Sequence, residues 1–158
     1  MNRVYGSKGA AAIVCVNPKK NKWRVRWDFR TEEDGSYTYM EESFDHQPSA
    51  EEIETLVTTW YNAETTKKIV TGFRWEGHQV WLTNENQLNY KVAHDLAVQT
   101  NGKNLPVVFK FDYNYYHQFS TVEELQKFYV AYTCYVQKTL QEGWTKKDGV
   151  DFNVYNLN

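Results

Sequence analysis

Two short apolar runs fold back at a polar turn, and a helix-capping sequence follows at once. This arrangement occurs three times along the chain and leaves few folds open to it. The clearest instance is Gly72-Phe73-Arg74-Trp75-Glu76-Gly77-His78-Gln79-Val80-Trp81-Leu82-Thr83-Asn84-Glu85-Asn86-Gln87. Glu76-Gly77 stands between the two runs and supplies the positive-φ residue that a two-residue hairpin turn needs. Thr83 or Asn84 then caps a helix. Ser49-Ala50-Glu51-Glu52 and Ser120-Thr121-Val122-Glu123 are capping boxes at the other two helix starts, where a hydroxyl and a carboxylate satisfy each other's backbone N–H groups. Hairpins each followed by a capped helix predict an α+β fold, with antiparallel sheet and helices packed on one face.

Finer patterning divides this order into two small packed modules. Residues 1–9 read as a loose arm, 10–16 as a strand, and Pro18-Lys19-Lys20-Asn21 as its turn. Over residues 22–30, Trp23, Val25, Trp27 and Phe29 alternate with Arg24, Arg26 and Asp28, the period-2 signature of a half-buried strand. The chain turns at Glu32-Glu33-Asp34-Gly35 and returns over 36–44, which brings Arg24 opposite or near Glu41. A helix over 49–65 carries Ile53, Leu56, Val57, Trp60 and Tyr61 at helical spacing. The polar junction Thr65-Thr66-Lys67-Lys68 then marks the boundary. The N-terminal module, 1–66, is thus a three-stranded sheet plus a helix. The C-terminal module, 67–158, runs hairpin, helix, hairpin, helix. Its first helix, 84–100, shows Leu88, Val92, Ala93, Leu96 and Ala97 on one face and stops at Asn101-Gly102. Val107–Asp112 and Tyr115–Phe119 form the second hairpin. The last helix, 121–142, is the longest, about 33 Å at 1.5 Å per residue. Gly143 ends it, and the tail is irregular, pinned by Trp144, Phe152 and Tyr155.

A chain of 158 residues suits one ordinary domain or two small modules. Aromatic side chains make up 16% of it, so even a small core can bury a large area. A net charge of −2 argues against general binding to nucleic acid or anionic membrane. Lysines and arginines at 19, 20, 22, 24 and 26 are balanced by acids at 32–34, 41, 42 and 45, which reads as an ion-paired sheet surface. The two cysteines, Cys15 and Cys134, are too few for a disulfide framework and read as buried reduced thiols. No run approaches the ~18 apolar residues of a membrane span. The short apolar run after Lys8 lacks a small-residue cleavage site and reads as a strand, not a signal. The expected location is a cytoplasm, or an assembly carried out of one.

Chemistry-bearing patterns are sparse. His46, His78, His94 and His117 have no partner at metal-ligand spacing, and His94-Asp95 reads as a surface pair. Neighbouring acids on a strand point to opposite faces, and those at helix starts complement the dipole. No Gly-rich phosphate loop occurs. The reading is a non-enzyme with no catalytic residues, no metal site and no cofactor. Two features suggest binding. Tyr113-Asn114-Tyr115-Tyr116-His117 sits at a hairpin tip, where tyrosines either form an adaptable contact surface or pack on their own sheet. The last helix is apolar almost all round, including Tyr129 and Tyr135. That predicts a central helix, or a second contact with a protein partner or a second copy of the chain. Trp75 and Trp81 complete the candidate binding residues, as walls of an aromatic pocket.

Val80-Trp81-Leu82-Thr83, Glu85-Asn86-Gln87, Pro106-Val107 with Phe109-Lys110-Phe111, and Glu142-Gly143-Trp144-x-Lys146-Lys147-Asp148 carry a resemblance. Over residues 68–151 the chain resembles a phage-borne domain family of unknown function, found in or beside tail-fibre and tail-fibre-assembly proteins. The first 65 residues resemble stand-alone members more weakly. The shared residues are tryptophans, caps and turns, and the family offers no active site to carry over. The resemblance implies a tail-associated accessory or assembly protein of a phage or prophage. Such a protein acts by protein–protein contact, in the host bacterial cytoplasm or the virion. The alternative is a small soluble phage effector that binds a host protein or sequesters a small ligand.

Overall fold

The computed structural model describes residues 1–156, and its element order is α+β. The chain forms two compact units: Met1–Trp60 together with the segment from Gly149, and Tyr61–Asp148.

In the first unit, β1 (Asn2–Gly6), β2 (Ile13–Asn17), β3 (Lys22–Thr31) and β4 (Tyr37–Phe44) form one antiparallel sheet in the order β1-β4-β3-β2. Residues 2–6, read from sequence as a loose arm, are the fourth strand. Arg3 pairs with Met40 and Tyr5 with Thr38. Such a short polar strand has no hydrophobic alternation of its own, and its place comes from the free edge of β4. Arg26 lies opposite Glu41, with Nε 2.8 Å from the carboxylate, and Arg24 reaches the same group at 3.4 Å. The alternation along β3 breaks at a bulge where Asp28 takes φ 51°. The bulge turns Phe29 away from the face of Trp23, Val25 and Trp27, leaving it half exposed against Tyr39 at 5.3 Å. Below the sheet, Ile53, Val57 and Trp60 form the buried stripe of α1 (Ala50–Gly72), and Trp60 meets Trp27 edge to face at 6.0 Å. The Tyr155 hydroxyl, in a short 3-10 turn at Phe152–Tyr155, donates to the Arg26 carbonyl at 2.9 Å.

α1 does not stop at 65. It runs to Gly72 because nothing between Ala50 and Gly72 breaks a helix. The polar junction is therefore part of the helix, with Thr66 and Lys67 turned to solvent, and the division between units falls inside the helix, after Trp60. In the second unit, β5 (Phe73–Trp75) and β6 (His78–Val80) form the hairpin, with φ 49° at Glu76 and 83° at Gly77. Both turn residues are thus left-handed, as a type I′ turn requires. α2 (Asn84–Gln99) is capped by Thr83, whose hydroxyl accepts from the Asn86 N–H at 3.2 Å. It closes with Gly102 N–H donating to the Ala97 carbonyl at 2.8 Å. β7 (Val107–Asp112) and β8 (Tyr115–Phe119) pair as a ribbon.

α3 (Val122–Asp148) passes straight through Gly143. A Cβ on that glycine would lie 2.2 Å from Thr65 Oγ1, so it marks a close approach and not a stop. Gly72 does the same under the Tyr135 hydroxyl. With Lys68 on Glu142 at 2.6 Å and Lys147 on Asn62 at 3.4 Å, these contacts set the second half of α1 antiparallel to α3. Phe128 on α3 is the centre of the unit's core, with the rings of Phe73, Trp75, Tyr90, Phe111, Phe119 and Tyr132 all within 6.2 Å. The apolar girth of α3 is that of a central helix: Leu125, Phe128 and Tyr132 are buried, and Tyr129, Tyr135 and Val136 pack against the same core. No helix among the described residues is long and apolar enough to cross a membrane.

Candidate functional site

The pleat of the β7–β8 ribbon sorts its residues by parity. Phe109, Phe111, Tyr115, His117 and Phe119 turn inward, while Val108, Lys110, Tyr116 and Gln118 turn to solvent. Register sets Lys110 opposite Tyr116, and the connecting residue Tyr113 stands beside them. Tyr113 is 83% exposed and Tyr116 63%. The Lys110 ammonium lies 5.7 Å from each of their ring centres, so two phenol faces flank one cation. Val108, half exposed, extends the patch along the strand.

The inward side fixes this surface in place. Tyr115 stacks on His78 with ring centres 3.5 Å apart, and its hydroxyl lies 3.2 Å from His117 Nδ1. The His117 ring lies parallel to Phe111, and its Nδ1 is 3.7 Å from the Glu76 carboxylate at the turn of the neighbouring hairpin. The two hairpins are thereby locked together by stacked rings and not by backbone pairing.

The eight residues singled out from sequence separate into two groups. Tyr113, Tyr116 and Trp81 are exposed, Trp81 by 46%. Tyr115, His117, Trp75, Tyr129 and Tyr135 have their rings engaged within the unit. Trp75 meets Phe128 edge to face at 5.4 Å. Tyr129 lies parallel to His94 at 4.3 Å. The Tyr135 hydroxyl donates to the Lys68 carbonyl at 2.7 Å. Sequence reasoning missed Lys110 and Val108, although the period-2 alternation of β7 already set both on the face of Tyr116. His94, read as half of a surface pair, is buried. Its Nε2 faces Gln126 Oε1 and its Nδ1 lies 3.1 Å from Asp95. Cys134, expected to be buried, is exposed, and Cys15 is half-buried.

Between α2 and α3, packing and ion pairing shift several titratable groups. Burial pushes the phenols of Tyr90 and Tyr132 up to about 12. The hydrogen bond from Lys91 holds the Asp95 carboxyl below its usual range, with His94 adding to the effect. Glu142 in turn holds the Lys68 ammonium above its usual value. Among the described residues, no three His, Cys, Asp or Glu side chains gather where they could hold a metal ion. An open groove of about 340 Å³ runs beside α2 and α3, lined by Gln87, Leu88, Lys91, Tyr129, Tyr132, Thr133, Val136 and Gln137. The arrangement offers planar aromatic and apolar surface on a rigid support, which suits contact with another molecule.

Residues 52–156 match the model of a family described as a domain of unknown function, DUF4376. No curated protein and no solved structure matches the chain at a significant level. The chain belongs to the DUF4376 family.

Proposed function

We propose that this DUF4376 member is a non-catalytic accessory or assembly protein of a phage or prophage tail, acting by protein–protein contact through the outward face of the β7–β8 ribbon. The observation that carries the reading is the exposure of Tyr113 and Tyr116 around Lys110, on a ribbon whose other face is anchored in the aromatic core. Tyrosine brings a large contact area with few rotatable bonds, so little entropy is lost when it is covered. The phage and tail part of the reading rests on the resemblance carried by Val80-Trp81-Leu82-Thr83 and Glu142-Gly143-Trp144. The effector alternative has less support, because Trp75, expected to wall a ligand pocket, gives its ring to Phe128.

Purified phage tail-fibre and fibre-assembly proteins, titrated against the chain, provide the test. One of them binds, and Tyr113→Ala with Tyr116→Ala weakens that binding about tenfold or more while the melting temperature is unchanged. The proposal fails if no tail component binds, or if the double variant binds as well as the parent.

A further inference from the structure

We infer that the outward face of α2 is a self-association surface, on which a second copy of the chain docks antiparallel. The inference is independent of the ribbon and its partner. α2 buries Tyr90, His94 and Ala97 and turns its branched aliphatic residues to water: Leu88 is 60% exposed, Val92 57% and Leu96 44%. Spaced four residues apart, the three form one stripe along the helix.

This face is palindromic in kind about Val92. Leu88 and Leu96 lie four residues to either side, and Glu85 and Gln99 lie seven to either side. When two α2 helices meet antiparallel with valine on valine, Leu88 meets Leu96 of the partner subunit. Glu85 meets Gln99 of the partner subunit, a carboxylate facing an amide donor.

Charge is self-complementary in the same register. Lys91 and Asp95, ion-paired within the helix, lie on the same flank of the stripe. A two-fold axis brings like flank against like flank with the direction reversed. At 1.5 Å rise per residue, Lys91 then sits about 3 Å along the axis from Asp95 of the partner subunit and about 3 Å from Lys91 of the partner subunit, so two opposite-charge pairs outweigh one like-charge pair. In a parallel pair these flanks fall on opposite sides of the seam, so Lys91 does not face Asp95 of the partner subunit. The groove beside α3 shares Leu88 and Lys91 with the stripe, so the apolar area continues toward Tyr129 and Val136. One helix pair buries less than the roughly 800 Å² per partner of a standard interface, so the dimer is weak and concentration-dependent.

Sedimentation equilibrium of the full chain between about 5 and about 500 μM, a range suited to a small interface, tests this. The expected result is a reversible monomer–dimer equilibrium that Val92→Glu shifts at least tenfold toward monomer. Val92 is exposed, so circular dichroism and the melting temperature stay as in the parent. Lys91→Glu, which leaves four carboxylates on the shared flank, weakens the dimer about tenfold, and Lys91→Glu with Asp95→Lys restores it to within about threefold. A chain that stays monomeric throughout overturns the inference. So does a dimer indifferent to Val92→Glu, a charge swap that fails to rescue, or a different protein that covers the stripe while the chain alone does not self-associate.

Discussion

Gly143 illustrates how one missing side chain sets a helix crossing. In a helix interior glycine costs about 1 kcal/mol relative to alanine, and it is retained here because Thr65 occupies the space of its Cβ. Gly143→Ala is expected to destabilise the chain by about 1–3 kcal/mol in urea unfolding, although alanine is the better helix former. Thr65→Ala in the same chain recovers part of the loss, whereas a glycine serving only as a stop would show no such rescue. Tyr90 and Tyr132 make a second argument at this scale. Burial holds their phenols up to about 12 in the folded chain, against about 10 when unfolded. The folded state keeps these protons longer, so the stability they contribute is full below about pH 10 and is lost as pH rises toward 12. With solvent screening allowed for, the loss is of order 1–2 kcal/mol per tyrosine. Unfolding free energies measured from about pH 9 to 12 therefore fall steeply, and Tyr90→Phe removes about half of that fall.

Among the elements, α1 departs most from its sequence reading. Thr65-Thr66-Lys67-Lys68 looks like a linker because it is polar, yet polarity alone does not end a helix. Ile69 then continues the helical spacing and packs against the core of the second unit. Thr66 is exposed. Thr66→Pro is expected to cost about 3 kcal/mol or more by removing a mid-helix hydrogen bond, while Thr66→Ala costs nothing or stabilises. Equal tolerance of both in thermal unfolding would mean that the segment is not helical. Caps were legible to within one residue. Ser49 and Glu52 form the box read from sequence, at 3.2 and 2.8 Å. At α3 the pair is Thr121 with Glu124 and not Ser120 with Glu123. Ser-Thr followed by Glu-Glu permits either frame, and Phe119, fully buried at the end of β8, decides it by fixing where the strand ends.

At the scale of the whole molecule, the tyrosine surface and the α2 stripe are places where apolar area meets water on a rigid frame, the usual mark of a contact site. A tail-component titration and a sedimentation series probe them separately, and each can fail without the other. Local chemistry in the sequence determined the α+β order, the I′ turn at Glu76-Gly77, the limits of β7 and β8, and two of the three caps. Turn residues, capping hydroxyls and period-2 alternation act within a few bonds of where they stand, so they can be read without the rest of the chain. Tertiary structure decided which face each element turned inward. The bulge at Asp28 exposed Phe29, Thr65 made Gly143 a crossing point, and packing around Phe128 chose Tyr90 and His94 over Leu88 and Val92 as the buried side of α2. Those choices depend on neighbours tens of residues away. Hydrophobicity, being non-directional, says that a side chain will be covered but not by what.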